Sequence, residues 1–265
     1  MPSDLCFIYN NAVDSSSITA STTFGDTSAQ YLKNDVKGMV HKSTENTVTY
    51  TCTWGVGVTI EAIALPAINV PVNTTVSVSI NSTAVVTNAT PFQYTSINTW
   101  YIGSASANEF STGRYSIGCV ILSSTYTNVT SLVITITLPG AGTIECSRLI
   151  AGRIWRPERY VSNGIEYERK DTSTVARSVT GNLLLDKGYQ CDQLSFDIKY
   201  MESTDRENLF KLLRMVGSNF IFVTIFPSAA NSISQDYSIY GKISSSPITY
   251  EMYNIYSYTV SIEGW

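Results

Sequence analysis

The chain has a single histidine, His41, set between Lys42 and Ser43 in a polar stretch. A Ser-His-Asp or Cys-His arrangement would have to use it, because no other side chain offers a base that titrates near neutrality without a large perturbation. Neither a Gly-x-Ser-x-Gly elbow nor a catalytic-cysteine signature accompanies it, so His41 reads as an exposed loop residue. Zinc catalysis would need a second histidine. A glycosidase needs two acids about 5–10 Å apart across one sugar. Glu166 with Glu168, or Asp192 with Asp197, cannot be told from solvated strand faces. There is no GxxxxGK[ST] phosphate loop, and Gly55-Val56-Gly57 lacks the third glycine of a dinucleotide loop. The expectation is a protein that is not an enzyme and uses neither metal nor cofactor.

The five cysteines, Cys6, Cys52, Cys119, Cys146 and Cys191, are widely spaced with no CxxC pair. That spacing gives neither a zinc site nor a dense disulfide framework, and buried or strand-borne free thiols are expected. Sequons begin at Asn73, Asn81, Asn88 and Asn128. With no signal-peptide pattern in MPSDLCFIYNNAV, they read as a by-product of abundant Ser, Thr and Asn. Aromatic residues are the better clue. Trp54, Tyr94, Trp100, Tyr101, Phe110 and Tyr115 sit among Asn, Ser and Thr, the setting of sugar-binding or protein-contact surfaces, although many Trp and Tyr are core residues. His41, Trp100 and Tyr101 are the candidate glycan contacts. Arg153, Trp155, Arg156, Arg159 and Tyr160 concentrate the residue types found at interface cores, and are the candidate assembly contacts; Trp155 capping its own core with the arginines stacked outside it is the equal alternative.

The elements that must hold these residues are mostly strands. Of 265 residues, 43% are hydrophobic, 11% aromatic and only 14% charged, against about 25% charged in an ordinary domain. With Ser, Thr, Asn and 17 Tyr filling the gap, extended chain is favoured over helix. A balance of 17 basic against 21 acidic residues, with no basic run, leaves no footprint for nucleic acid. No apolar stretch approaches the roughly 18–20 residues of a membrane span. Val48–Trp54, Val76–Ile80 and Leu132–Leu138 alternate with period two, as half-buried antiparallel strands should. Ile60–Leu65 is a more continuous run; Leu194–Met201, Phe220–Phe226, Ile248–Tyr256 and Tyr258–Ile262 are further strand candidates. Thr204-Asp205-Arg206-Glu207 has capping-box spacing, with Leu209, Leu212, Leu213 and Val216 at helical spacing and Gly217 as the stop. One helix near 205–216 is predicted.

Charge also divides the chain. Residues 1–145 carry four basic and eight acidic side chains, and residues 146–265 carry thirteen of each. The change follows Leu138-Pro139-Gly140-Ala141-Gly142, a plausible connection. The expected fold is all-β: two β-sandwich domains, an N-terminal jelly roll over 1–142 and a C-terminal β-sandwich with one short α-helix over 143–265.

Two stretches resemble known families. Ala20-Ser21-Thr22-Thr23, Ala29-Gln30-Tyr31-Leu32-Lys33-Asn34, His41-Lys42-Ser43 and Ile63-Ala64-Leu65-Pro66-Ala67-Ile68-Asn69, followed by the alternating Thr75–Ile80, resemble the galactose-binding-like (discoidin-type) jelly roll. His41-Lys42 departs from that family's Trp-Arg. Arg148-Leu149-Ile150-Ala151-Gly152-Arg153-Ile154-Trp155-Arg156-Pro157, with Asn163-Gly164, Asp171-Thr172-Ser173, Arg177-Ser178, Gly181, Ile221 to Pro227, Tyr240-Gly241 and Glu263, resembles structural proteins of tailed bacteriophages. The resemblance implies a virion component of the tail tip, baseplate or fibre attachment, synthesised in the host bacterial cytoplasm. Its implied partners are other tail or baseplate proteins and, through the jelly roll, host-surface glycan. Homo-oligomerisation is expected, as closed assemblies reuse one subunit. The alternative is a carbohydrate-binding module that acts in recognition only.

Overall fold

A computed structural model describes residues 5–71, 73–92, 116–158, 161, 164–226, 237–244 and 247–265. The chain forms two compact units, a larger one of Asp4–Arg156 with Phe222–Ser238 and a smaller one of Pro157–Ile221 with Ile239–Trp265. The first contains β1 (Cys6–Tyr9), β2 (Ser17–Ala20), β3 (His41–Lys42), β4 (Thr47–Asn69), β5 (Thr75–Ile80), β6 (Thr83–Ala89), β7 (Ser116–Thr137), β8 (Glu145–Cys146) and β9 (Ile150–Trp155). The second contains β10 (Glu166–Asp171), β11 (Thr174–Arg177), β12 (Leu183–Asp186), β13 (Gln190–Met201) and helix α1 (Ser203–Val216). Later strands are β14 (Ile221–Thr224), β15 (Ser238–Ile243), β16 (Ile248–Met252) and β17 (Ile255–Gly264). The all-β class is what the structure shows, with one α-helix among the described residues.

In the larger unit, β4 and β7 run antiparallel and pair along most of their lengths. Thr47–Thr53 of β4 pairs with the end of β7, with β2 outside β4 and β5 and β6 outside β7. Ala62–Ala64 lies between the start of β7 and β9, and β1 and β14 extend that side. Between the halves the register shifts repeatedly from Thr53 to Ala62, so the runs expected as separate strands at Val48–Trp54 and Ile60–Leu65 are one bent strand. Gly57 permits the bend: a Cβ there would lie 2.7 Å from the Asn128 Cα. The period-two residues Val48, Tyr50, Cys52, Val76, Val78, Leu132, Ile134 and Ile136 join Ile63, Leu65, Leu149 and Ala151 in one buried cluster. Each Val, Leu and Ile side chain among them contributes about 1.5–3 kcal/mol by leaving water.

Asn73, Asn81, Asn88 and Asn128 all have positive φ. Asparagine tolerates left-handed backbone better than other non-glycine residues, which gives these positions a conformational reason. Asn81 also accepts hydrogen bonds at Oδ1 from the Thr130 and Ser131 amides at 3.0 and 3.1 Å.

In the smaller unit, β13 and β17 form the centre, β10 lies outside β13, and β15 and β16 pair with different stretches of β17. Ile248–Tyr256 is not one strand but a hairpin, turning at Asn254 with φ 61°. Helix α1 buries Leu209, Leu212 and Val216 and packs against β13 and β17. It ends at Gly217, φ 54°, as predicted, but starts earlier: Glu202 is the cap and makes no side-chain cap bond. Asp205 is instead buried, accepting from the Glu158 amide at 2.9 Å. The expected boundary at 142 falls inside the larger unit, because β8 and β9 are paired to β4.

Candidate functional site

The loop between β2 and the 3-10 helix Ala29–Lys33 is folded over β3. Its turn is a local consequence of sequence: Gly25 takes φ 54°, Thr27 Oγ1 donates to the Phe24 carbonyl at 2.6 Å, and the Ser28 amide donates to the Asp26 carbonyl at 2.9 Å. The Phe24 amide donates to the Lys42 carbonyl at 2.8 Å, and the Lys42 amide donates to Thr27 Oγ1 at 3.2 Å. The loop is therefore laced to β3 along both edges of the turn.

His41 supports it from beneath. The ring is fully buried, with Nδ1 2.9 Å from the Tyr50 hydroxyl and Nε2 3.3 Å from Thr23 Oγ1. The expectation of an exposed histidine is corrected: the polar residues around it are the loop that covers it. As a glycan contact His41 presents no ring surface to solvent. Burial lowers its pKa from the ordinary 6.5, opposed by a hydrogen bond to the Thr22 backbone. Since the folded value is depressed, the unfolded chain takes up the proton first. The stability held by neutral His41 is complete above 6.5 and lost as pH falls below it. Chemical denaturation between pH 8 and 5.5 is expected to show this loss, and His41→Gln to flatten it; an unchanged slope would assign the pH dependence elsewhere.

Above the histidine the surface changes character. Phe24 is 55% exposed, with the Lys42 ammonium 5.5 Å from its ring centroid. Lys42 also pairs with Glu145 at 2.7 Å. Behind the turn lies a shallow depression of about 460 Å³ lined by Thr19, Ala20, Thr23, Asp26 and Ser28 among others. An aromatic face, a fixed cation, two carboxylates and several hydroxyls thus share one loop region. Phe24, Asp26 and Glu145 were not singled out in the sequence; a lone aromatic beside Gly-Asp in a Ser/Thr-rich loop was the available signal.

Of the candidate assembly contacts, Arg153 is exposed, while Trp155 and Arg156 are half-buried at the end of β9. The Trp155 ring packs on Phe7 with centroids 5.1 Å apart, and Glu61 accepts from the neighbouring Ile154 amide at 2.7 Å. Arg159 and Tyr160, like Trp100 and Tyr101, lie outside the described residues. Trp54 is a core residue, donating from Nε1 to the Ala12 carbonyl at 2.8 Å.

The five cysteines are free. Burial pushes the Cys6 and Cys52 thiols up to about 11 and Cys146 to about 12, and raises Cys119 and Cys191. Among the described residues no group of three His, Cys, Asp or Glu is placed to hold a metal ion.

No protein-family model matches the chain, and no curated protein matches it. Solved structures do. Chitosan-binding module 1 of a chitosanase/glucanase from Paenibacillus sp. IK-5 aligns at 15% identity and TM-score 0.40, covering 55% of this chain and all of the module. A CBM32 module from Clostridium perfringens, in complex with GalNAc-β-1,3-galactose, aligns at 12% identity and TM-score 0.37, over 54% of this chain and all of that one. A third, CBM32-3 of a family 31 glycoside hydrolase from Clostridium perfringens, gives 16% and 0.37 over 55% of this chain and all of its own. Likeness at this level carries no functional argument, and nothing in these comparisons indicates a phage tail protein.

Proposed function

We propose that the larger unit is a non-catalytic carbohydrate-recognition module whose contact surface is the 22–28 loop with β3. The observation that carries the reading is the exposed Phe24 ring beside Asp26 and the Lys42–Glu145 pair. A sugar ring has an apolar C–H face that an aromatic plane can cover, and hydroxyls that accept from ammonium and donate to carboxylates. His41 is then a positioning residue, holding the loop through Thr22 and Thr23.

The test is glycan-array screening of the full chain followed by calorimetry on the best ligand. Phe24→Ala is expected to weaken binding by roughly tenfold or more, about 1.4 kcal/mol, with unchanged thermal stability. Asp26→Asn should weaken it less. Trp100→Ala and Tyr101→Ala form a separate arm for the aromatic contacts expected there. Absence of any glycan binding by the wild type would remove the reading. Full affinity in Phe24→Ala would move the site off this loop.

A second reading, a structural component of an assembled particle such as a phage tail or baseplate, is favoured by one observation in the smaller unit. Strands β11 and β12 form an exposed ribbon that carries a run of leucines.

A further inference from the structure

Three walls enclose the His41 ring. Tyr50 of β4 holds Nδ1 at 2.9 Å and meets the imidazole edge to face, with centroids 5.2 Å apart. β8 lies alongside β3, with Cys146 opposite His41. The third wall is the 22–28 loop, whose Thr23 Oγ1 lies 3.3 Å from Nε2 and whose Thr22 backbone also hydrogen-bonds the ring. A neutral imidazole has one donor and one acceptor, and these partners satisfy both; protonation makes it a cation with two donors.

A buried cation needs a negative neighbour, and the walls offer none. Burial keeps Cys146 and Tyr50 neutral, the thiol pushed up to about 12 and the phenol well above its ordinary 10. Glu145 on β8 is held by the Lys42 ammonium at 2.7 Å, a cation next to His41 in the chain. On the 3-10 helix that carries Tyr31, Lys33 donates to the Ser16 carbonyl at 2.8 Å. Asp35, which follows that helix, pairs with Arg148, while Asp26 and Glu45 stand exposed in turns. No carboxylate among the described residues bonds the ring.

Water reaches the ring only if a wall moves, and the loop is the wall free to do so. Tyr50 is paired on both sides, to Ala20 and to Ile134, and Cys146 to His41 and Ile68. In the loop no residue from Thr22 to Ser28 is fully buried, so hydrogen bonds rather than apolar packing hold it down. Thr22 Oγ1 is buried without a hydrogen-bond partner, a cost that the closed loop carries and an open one recovers.

We propose that His41 is a proton-operated latch: protonation of its ring releases the 22–28 loop, which is closed over β3 at neutral pH and lifted in mild acid. The open loop hydrates the ring, so the open form binds the proton more tightly than the closed one. Opening therefore rises as pH falls through the ordinary 6.5 and levels off at the lowered value of the closed form. Because the loop carries Phe24 and Asp26, acid also releases glycan; that use rests on the carbohydrate reading, and the latch itself does not.

Amide hydrogen exchange by NMR on the full chain, corrected for the intrinsic pH dependence of exchange, reads the latch without any glycan. The Phe24 and Lys42 amides bridge the loop and β3, and report its opening. They are expected to exchange faster than the Ala151 amide, which donates to Asn11 Oδ1 at 2.9 Å in the core. Their opening should rise roughly threefold or more from pH 7 to 5.5, and His41→Gln should remove the rise. His41 is the single histidine, so its ring signals are unambiguous, and they should titrate with a midpoint below 6.5. Loop amides no faster than Ala151, opening that is constant with pH, or a rise kept in His41→Gln overturns the proposal. So does a ring midpoint at or above 6.5, and these wild-type readouts decide the matter even if the variant does not fold. Absence of glycan binding with the rise intact removes the carbohydrate reading and leaves the latch in place.

Discussion

Arg148→Ala is expected to destabilise the larger unit by about 3 kcal/mol, the low end of the loss on breaking a buried ion pair, read as a shift in the denaturation midpoint. Arg148 is 2% exposed, yet makes a bidentate pair with Asp14 at 2.6 and 2.9 Å and meets Asp35 at 3.0 Å through Nε. Asp14 lies in the 3-10 helix Ala12–Ser15, and Asp35 follows the one at Ala29–Lys33. One guanidinium therefore fixes two short helices that have few internal hydrogen bonds of their own. The carboxylates are 46% and 41% exposed, and most exposed ion pairs contribute little. Burial of the cation decides otherwise, because water cannot replace the lost partners inside. The order of effects follows. Arg148→Lys keeps the charge but not the fork, and should still cost about 2 kcal/mol. Asp14→Asn, which leaves one carboxylate and a polar acceptor, should cost less. A midpoint unchanged in Arg148→Ala would mean that the helices are held by packing alone.

Arg148 shows what was legible in the sequence and what was not. Its place in an Arg-Leu-x-x-Gly-x-x-Trp-x-Pro run marked the segment, but its partners stand 134 and 113 positions earlier along the chain. Local pattern could give the strands, since alternation in Val48–Trp54 and Leu132–Leu138 reports which face is buried. It could not give the joining of two runs into the bent β4, which depends on the close approach of Gly57 to Asn128. Nor could it give the unit boundary. Charge density tracks the surface, and it rises at residue 146, whereas the pairing of β8 and β9 with β4 keeps the chain in the larger unit as far as Arg156. His41 was misplaced for a related reason: hydrophilic neighbours predict exposure, but a Ser/Thr-rich loop can satisfy its own backbone and serve as a lid. Leu183–Leu185 are the opposite case, apolar residues that stand in solvent.

The glycines of the same motif segments give the second large effect. Gly152→Ala is expected to cost about 3 kcal/mol or more, the upper end for an overpacked interior. Gly152 is central in β9, opposite Ala62 of β4, with β1 on the other side. A Cβ there would lie 2.5 Å from the Tyr9 carbonyl oxygen and 3.1 Å from that of Asn10. Both obstacles are backbone, so no rotamer change relieves them, and β9 or β1 must move. Movement is resisted, because β1 is buried over Cys6–Ile8 and held on its far edge by β14. Gly241 in the smaller unit is the parallel case, its added Cβ meeting the Glu263 carbonyl across the β15–β17 pair. Gly140 is the control: nothing lies within 4 Å of a Cβ built on it, and its φ is not positive. Gly140→Ala should therefore leave stability within about 0.5 kcal/mol of wild type, or raise it slightly by restricting the unfolded chain. Thermal denaturation of the three variants separates the explanations. If Gly152→Ala and Gly140→Ala melt together at the wild-type temperature, the glycine in the motif is not there for close approach. If only Gly152→Ala and Gly241→Ala fall, then the glycines that prompted the resemblance are required by strand packing inside each unit, and identity at those positions says nothing of assembly.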